Sequence, residues 1–233
     1  MAEEGVPLNP TAHGAGPLLQ AIYQRLHERY GPQHWWPAES RFEVIIGAIL
    51  TQAAAWRNVE RALQNLKAAG AFSPEGLRQI SQEELASLIR PSVYFNVKAR
   101  KLKAFVAHLA SYRDDLDAFL AQETQKLRRE LLSLYGIGEE TADDILLYAA
   151  DKPVFVIDAH TRRILERLGI DPTQRSYPGY QKLFHQNLPR DPHLYNEFHA
   201  LLDRHGREVC RPTPLCHQCC LLDRCPTGQK NTL

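Results

Sequence analysis

The residues best suited to chemistry lie in two short segments that are close together along the chain. The turn Gly136-Ile137-Gly138 separates two segments with helical periodicity, and Asp158 follows the apolar run Val154–Ile157. Glycines at a tight turn permit positive φ, so N–H groups point outward at the start of the next helix, where a phosphate can bind. A carboxylate that ends an apolar run can stabilise a developing positive charge. Together the two segments predict chemistry on a nucleic acid.

Both segments also have a purely structural interpretation. A Gly-x-Gly turn is an ordinary way to join two helices, and Asp is a preferred N-cap residue. Asp158 can serve both purposes, because amide donors and the helix dipole keep an N-cap carboxylate ionised. In that form it can orient a water molecule and stabilise an oxocarbenium-like sugar, as cleavage of an N-glycosidic bond requires.

The five cysteines form a second, independent signal near the C-terminus. Four of them, Cys210, Cys216, Cys219 and Cys225, have the spacing C-x5-C-x2-C-x5-C, and Cys220 is a fifth thiol beside the third. Four thiolates this close can bind zinc or a [4Fe-4S] cluster. A disulfide framework is the alternative, but there is no secretory leader pattern and no cysteine elsewhere. Spacing alone does not fix the metal.

The segment LLSLYGIGEETA followed by VIDAH resembles the helix-hairpin-helix and catalytic aspartate of the endonuclease III superfamily of DNA glycosylases, known as HhH-GPD proteins. The resemblance runs from about Trp35 to Cys225. It implies that Asp158 is catalytic and that Gly136, Ile137 and Gly138 contact backbone phosphate. It also implies a [4Fe-4S] cluster on the four cysteines, with zinc as the alternative, although the first gap is one residue shorter than usual in that family.

The same resemblance extends to the DNA-distorting residues. The apolar segment Phe42–Leu50 predicts a buried helix that ends near Gln52. A glutamine there is ordinarily a solvated residue, but the matching family glutamine fills the hole left by the flipped nucleotide. Lys98 and Asn96 are expected nearest to the DNA surface, within a basic segment that otherwise predicts a solvated helix face.

Glu140 occupies the position of the lysine that forms the Schiff base in bifunctional family members. A glutamate cannot act as an amine nucleophile. The sequence therefore predicts a monofunctional enzyme in which water attacks under the control of Asp158.

The aromatic residues around Trp36 suggest the substrate. Two adjacent tryptophans are often core anchors, but the motif Trp36-Pro37 with Trp56 resembles the pocket of the endonuclease III-like 3-methyladenine DNA glycosylases. N-alkylated purines are cationic, so aromatic faces attract them, by about 1–2 kcal/mol when desolvated. Such bases also need no strong general acid.

The periodicity predicts an all-α, two-lobed glycosylase fold. By resemblance, a six-helix barrel covers residues 38–152, and a second lobe combines residues 17–37 with 153–233, including the cluster loop at 204–226. Residues 1–16 form a polar leader that we expect to be disordered. The formal net charge of +1 is low for a DNA-binding protein, so any affinity requires localised charge. No apolar run reaches membrane-spanning length.

Three functions follow from these patterns. The first is a monomeric, cytoplasmic (bacterial or archaeal, nucleoid-associated) glycosylase that acts on double-stranded DNA and removes alkylated purines of the 3-methyladenine type. The second is an endonuclease III-type glycosylase and AP lyase for oxidised pyrimidines, with Lys98 or Lys152 as nucleophile. The third is a DNA-binding iron–sulfur protein that senses redox state or has lost catalysis.

Overall fold

The computed structural model describes residues 14–232, and within that range it is helical without any β-strand. Of the predicted leader at 1–16, residues 1–13 lie outside the described part. The leader prediction is wrong at its end, because Gly16 already begins the first helix, where Pro17 occupies the first turn that tolerates a missing N–H.

The α-helices are α1 Gly16–Tyr30, α2 Arg41–Thr51, α3 Trp56–Ala68, α4 Pro74–Gln79, α5 Gln82–Leu88, α6 Phe95–Leu109, α7 Leu116–Leu120, α8 Thr124–Ser133, α9 Glu139–Asp144, α10 Ala159–Arg167, α11 Tyr177–Asn187, α12 Pro192–Glu208 and α13 Pro226–Asn231.

Short irregular helices separate several of these elements. Single 3₁₀ turns lie at Arg90–Ser92, Ala110–Tyr112, Cys216–Gln218 and Leu222–Arg224, and a π-helical turn, Ile145–Ala149, continues directly from α9. The alternating run at Val154–Ile157 is not a strand but a buried extended segment.

Two compact units make up the fold. Of the described residues, one unit contains 14–35 together with 153–232, and the other is Trp36–Lys152. The second unit holds α2 to α9. Its centre is α2, whose residues Phe42–Leu50 are all buried, as expected for a helix that is apolar all round.

Serine caps begin several of these helices. In the sequence, Ser73-Pro74 and the capping box Ser81-x-x-Glu84 predict helix starts. Both are confirmed: Ser73 Oγ accepts from the N–H of Gly76 and Ser81 Oγ from that of Glu84. The same arrangement begins α2, where Ser40 Oγ accepts from the N–H of Glu43. Each cap satisfies a backbone donor that the helix leaves open, typically worth about 1 kcal/mol.

The first unit is built around an aromatic core. Phe155 stacks on Phe184 with centroids 3.6 Å apart, and Tyr195 and Phe198 meet the Phe155 ring edge to face. Such pairs add specificity to the apolar burial. This core fixes the segment that precedes Asp158. Among the described residues, no helix is long and apolar enough to cross a membrane.

Candidate active site and metal centre

Asp158 is held firmly at the N-terminus of α10. Its backbone is extended, with φ of −88° and ψ of 178°, and its Oδ1 accepts from the N–H of Thr161 at 2.6 Å. The side chain is 13% exposed, and its Oδ2 lies 3.9 Å from Nε2 of His199 on α12. The carboxylate is therefore an N-cap and an oriented anion at the same time, because the capping bond uses only one of its two oxygens.

A further group of potential ligand atoms lies beside it. Single atoms of Asp158, His160 and Asp203 all lie within 4.8 Å of one another. Arg207 pairs with Asp203 at 2.7 Å, and Arg163 donates to Nδ1 of His160 at 2.7 Å. Two guanidinium groups thus compensate this cluster, which is the arrangement of an ion-pair network rather than of a cation site.

The glycine turn between α8 and α9 has the predicted geometry. Gly136 has a φ of +76°, which a side chain would disfavour, and Gly138 is the N-cap of α9. Ile137 differs from the expectation of a DNA contact. Its side chain is only 5% exposed and its N–H donates to the carbonyl of Leu134 at 3.2 Å. Ile137 therefore anchors the turn from inside, and the exposed backbone belongs to Gly136 and Gly138.

Gln52 ends α2 and contacts the same turn. Its Nε2 donates to Oγ1 of Thr141 at 2.7 Å and to the carbonyl of Gly136 at 3.3 Å, and its Oε1 accepts from the ammonium of Lys101. Ala53, which follows, has a left-handed φ of 51°. The chain therefore reverses sharply after Gln52 and begins α3 at Trp56.

Trp36 lies at the centre of an aromatic cluster. Its ring meets Trp56 edge to face with centroids 5.4 Å apart, and Tyr148 at 5.3 Å. A Cβ on Gly47 would lie 3.1 Å from Nε1 of Trp36, so the indole rests directly on the backbone of α2. Pro37 is exposed beside it. The two sequence-predicted tryptophans are brought together, and Tyr148 is a third member that the sequence analysis missed.

The sequence pattern did not indicate Tyr148, because the helix is irregular at this residue. It belongs to the π-helical turn, where the carbonyl of Ile145 accepts from the N–H of Ala150. This wider turn breaks the 3.6-residue period on which the sequence analysis relied. The buried Asp144 precedes it by four residues, and the exposed Glu140 precedes Asp144 by four more. Residues four apart share a helix face, so Asp144 lies on the Tyr148 side of this element.

Lys98 does not lie on a DNA-facing surface, which contradicts the expectation for this residue. It is 2% exposed, and its ammonium donates to the carbonyls of Leu50 (2.7 Å) and Ser92. Burial lowers the pKa of Lys98 to about 8. The sequence did not reveal this because the lysine belongs to a basic segment whose other members are less buried. Asn96 is exposed, as expected.

An exposed apolar patch at the start of α6 was also missed. Val93, Tyr94 and Val97 are 44, 66 and 43% exposed. Val93 and Tyr94 both have positive φ, 61° and 47°, which is a strained conformation for such residues and is typical of functional loops. The sequence signal that could have indicated it is the adjacent aromatic pair Tyr94-Phe95 at a helix start.

The four spaced cysteines line one small cavity, together with Arg167, Val209 and Gly228, whereas Cys220 does not line it. Each of the four sulfurs lies near an N–H donor: Cys210 near Arg167 (3.3 Å), Cys216 near Asn231 (3.9 Å), Cys219 near the Leu221 amide (3.4 Å) and Cys225 near the Gly228 amide (3.2 Å). Four thiolates with such donors around them could hold a metal ion or cluster, since thiolate ligands accept bonds of this kind.

Burial disfavours the thiolate form of two of these cysteines, and a bound cation would offset that cost. It raises the pKa of Cys219 to about 12 and also raises that of Cys225. His205, next to Cys219, has its pKa lowered by burial to about 4. A neutral ring that accepts the Tyr30 hydroxyl proton at Nδ1 (2.8 Å) directs its Nε2–H at the Cys219 sulfur, 3.5 Å away.

Comparisons with known proteins identify the family of this chain. Residues 46–190 match the HhH-GPD superfamily of base excision DNA repair proteins. MJ1434 of Methanocaldococcus jannaschii, named as a DNA repair glycosylase, is 41% identical over 89% of this chain and 96% of its own. Endonuclease III of Sulfolobus acidocaldarius is 31% identical over 79% of this chain and 81% of its own.

A solved structure extends the likeness to the fold. The H. pylori 3-methyladenine DNA glycosylase, crystallised with 1,N6-ethenoadenine, superposes with a TM-score of 0.72 and 27% identity, over 85% of this chain and 98% of that one. The glycine turn, the oriented aspartate and these matches show that the chain belongs to the HhH-GPD superfamily of base excision repair DNA glycosylases.

Proposed function

We propose that this protein is a monofunctional DNA glycosylase that hydrolyses the N-glycosidic bond of alkylated purines, of the 3-methyladenine type, in double-stranded DNA. The observation that carries this proposal is the chemical identity of two positions. A fixed carboxylate, Asp158, caps α10, and Glu140 stands in the first turn after the glycine hairpin, where a lyase would need an amine.

Asp158 supplies the charge that the reaction needs. As the base leaves, the deoxyribose becomes oxocarbenium-like, and an adjacent carboxylate stabilises that charge without first having to reorganise. The bond from the Thr161 N–H occupies one oxygen, so the other remains to face the sugar or to accept a proton from the attacking water. His199, 3.9 Å from that second oxygen, is suited to keep it in place.

The aromatic cluster supports a cationic base as substrate. The ring centroids of Trp56 and Tyr148 each lie within 5.5 Å of that of Trp36, and Asp144 is a buried acid on the Tyr148 side of its helix. A positively charged purine is attracted by both, whereas a neutral base gains only apolar burial. Pro37 completes the proposed pocket from the exposed side.

DNA binding is assigned to three surfaces of the second unit. The backbone of Gly136 and Gly138 receives phosphate, and Gln52 fills the gap in the stack. Asn96 and the exposed Tyr94 lie at the start of α6, where an aromatic ring can stack on bases. Lys98 is excluded from this surface by its burial.

The four cysteines Cys210, Cys216, Cys219 and Cys225 would hold a [4Fe-4S] cluster, with zinc as the less favoured occupant. The function proposed for the cluster is structural: it would order the loop that follows α12. Cys220 would not be a ligand, because its side chain does not line the cavity.

A second candidate, an AP lyase on oxidised pyrimidines, is favoured by the Sulfolobus relative, which is named endonuclease III. It needs a nucleophilic lysine. Lys98 already donates to two carbonyls in the interior, so Lys152, which is half-buried, is the remaining residue among those first considered.

Base-release assays on duplexes with a single lesion distinguish these functions. We expect free 3-methyladenine to be released without strand cleavage, and thymine glycol to be left intact. Borohydride should trap no covalent complex on either lesion. Trapping, or cleavage at thymine glycol, would favour the lyase instead.

The matched variant for the chemistry is Asp158→Asn, which keeps the capping acceptor but removes the charge. We expect base release to fall by at least about 10²-fold, the usual scale for a lost electrostatic contribution, while duplex binding persists. Release at the parent rate would contradict the assigned role. If neither variant nor parent releases any base but both bind DNA, a non-catalytic function gains support.

A further inference from the structure

Lys101 connects the two DNA-contacting elements of the second unit. Its ammonium donates to Oε1 of Gln52, at the end of α2. The aliphatic part of its side chain lies across the glycine turn: a Cβ added to Gly136 would be 2.4 Å from Lys101 Cε and 2.6 Å from its Cγ. Gly136 is therefore required both by its φ of +76° and by the passage of this lysine.

The Lys101 ammonium is partly withdrawn from water and is bonded to an uncharged acceptor. Burial lowers the pKa of Lys101, and this desolvation is the cause of the shift. The acceptor is the amide oxygen of Gln52, which is neutral. A hydrogen bond from a cation to a neutral oxygen is weaker than one to an anion. A phosphate bound at the neighbouring glycine turn would be the stronger acceptor.

The same contacts oppose the proposed insertion of Gln52 into DNA. As folded here, the Gln52 amide is bonded at both ends, through Nε2 to Thr141 Oγ1 and the Gly136 carbonyl and through Oε1 to Lys101. A side chain that fills a vacated base position has to leave these partners. The half-buried ammonium then loses its amide acceptor, and a phosphate would be a stronger replacement because it is charged.

We propose that Lys101 is a positioning residue that exchanges the Gln52 carbonyl for a DNA phosphate at the glycine turn, so that phosphate binding releases Gln52 for insertion. This inference rests on the proposed function, because it needs Gln52 to be the inserted residue. In this proposal, Gln52 is inserted only after a DNA phosphate has bound at the glycine turn. The phosphate takes the place of the Gln52 amide oxygen as the acceptor of the Lys101 ammonium, and Gln52 then enters the base stack at the position of the extruded nucleotide.

Salt dependence of DNA binding tests the exchange. Each phosphate contact made by a cation contributes about 0.9 to the slope of log K against log salt on duplex DNA. We expect Lys101→Met to reduce that slope by about 0.9 on a duplex with one abasic-site analogue, and Lys101→Arg to restore it. Thr141→Val is the matched control, since it loosens Gln52 without removing charge and should leave the slope unchanged.

A second readout follows Gln52 itself. With 2-aminopurine beside the abasic analogue, we expect Gln52→Ala to lose the fluorescence change at saturating protein while keeping the parent salt slope. The double variant Lys101→Met/Gln52→Ala should have the slope of Lys101→Met alone.

Thermal unfolding identifies variants that fold, and Lys101→Gln replaces Lys101→Met if the latter does not. An unchanged slope in a folded, uncharged Lys101 variant would overturn the exchange. If the parent protein shows no salt-dependent duplex binding, the proposed function itself fails instead.

Discussion

Asp158 and Glu140 are the two residues whose chemical identity carries the proposed function, and each is positioned by the first turn of its own helix. Asp158 is ordered by a backbone N–H and by its place beside His199, so its position follows from the start of a helix. Glu140 is exposed in the first turn of α9, where an acid is favoured by the helix dipole. Glu140, to which we attribute the proposed lack of lyase chemistry, is thus well suited to its helix, and no loss of stability is needed to explain it.

Restoring an amine at that position should restore covalent chemistry. We expect Glu140→Lys to form a Schiff base with an abasic site, because the side chain is exposed and the turn before it is already formed. Borohydride trapping on abasic duplex measures this, with Glu140→Gln as the neutral control. Equal trapping by both variants would show that position 140 does not face the sugar.

At the scale of elements, the sequence predicted helices well where local signals set them. The starts at Ser73 and Ser81 followed from their caps, and α2 from its uninterrupted apolar residues. The π-helical turn could not be predicted, because no local sequence signal distinguishes its i→i+5 hydrogen bonds from those of an ordinary helix, and the contact of Tyr148 with Trp36 is made only in the fold. The burial of Lys98 could not be predicted from the sequence either, because the carbonyls that accept from its ammonium come near it only in the folded chain.

Arg128 joins the two helices of the hairpin motif. It makes two bonds to Asp143 on α9, at 2.6 and 3.1 Å, and the Asp143 side chain is fully buried. A bidentate pair of this kind fixes the mutual orientation of two helices as well as their contact. The glycine turn is therefore held from both sides, which keeps its backbone in position for phosphate.

Lys98 gives the second unit a pH-dependent stability with a definite sign. Its pKa is about 8 in the folded chain and about 10.4 when unfolded. Between these values the unfolded chain binds more protons, so the contribution of Lys98 to the free energy of unfolding rises with pH. From pH 7.5 to 9.5 we expect the difference in stability between the parent protein and Lys98→Met to increase by about 2 kcal/mol.

Urea unfolding at the two pH values measures this difference. The tyrosines do not obscure it, because their contribution is the same in both proteins: burial raises the pKa of Tyr30 and Tyr180 to about 12 in the folded chain, where both stay neutral. The unfolded tyrosines begin to ionise near pH 10, an effect common to both proteins. A difference that is constant with pH would mean that Lys98 is equally protonated in the folded and unfolded chains.

At the scale of the whole molecule, the cysteine loop is contacted by arginines from α1 and α10, two helices that are far apart in sequence. Arg167 on α10 reaches Cys210 and the carbonyl of Arg211, and Arg25 on α1 pairs with Asp223 and reaches the carbonyl of Cys220. The spacing of the cysteines predicted their common site, but not these arginine contacts. A metal centre there would therefore stabilise α1, α10 and α12 as well as its own loop.

Two adjacent cysteines provide a matched test of that metal centre. We expect Cys219→Ser to lose the broad visible absorbance of an iron–sulfur protein, and Cys220→Ser to retain it, because only Cys219 lines the cavity. Structural metal sites contribute on the order of 10 kcal/mol in small domains, which is comparable with the total stability of many proteins. Hydrogen exchange in Cys219→Ser should accordingly increase in α1, α10, α12 and the cysteine loop. Retained absorbance in Cys219→Ser, or its loss in Cys220→Ser, would assign the ligands differently, and a colourless parent protein that contains zinc would replace the cluster by that metal.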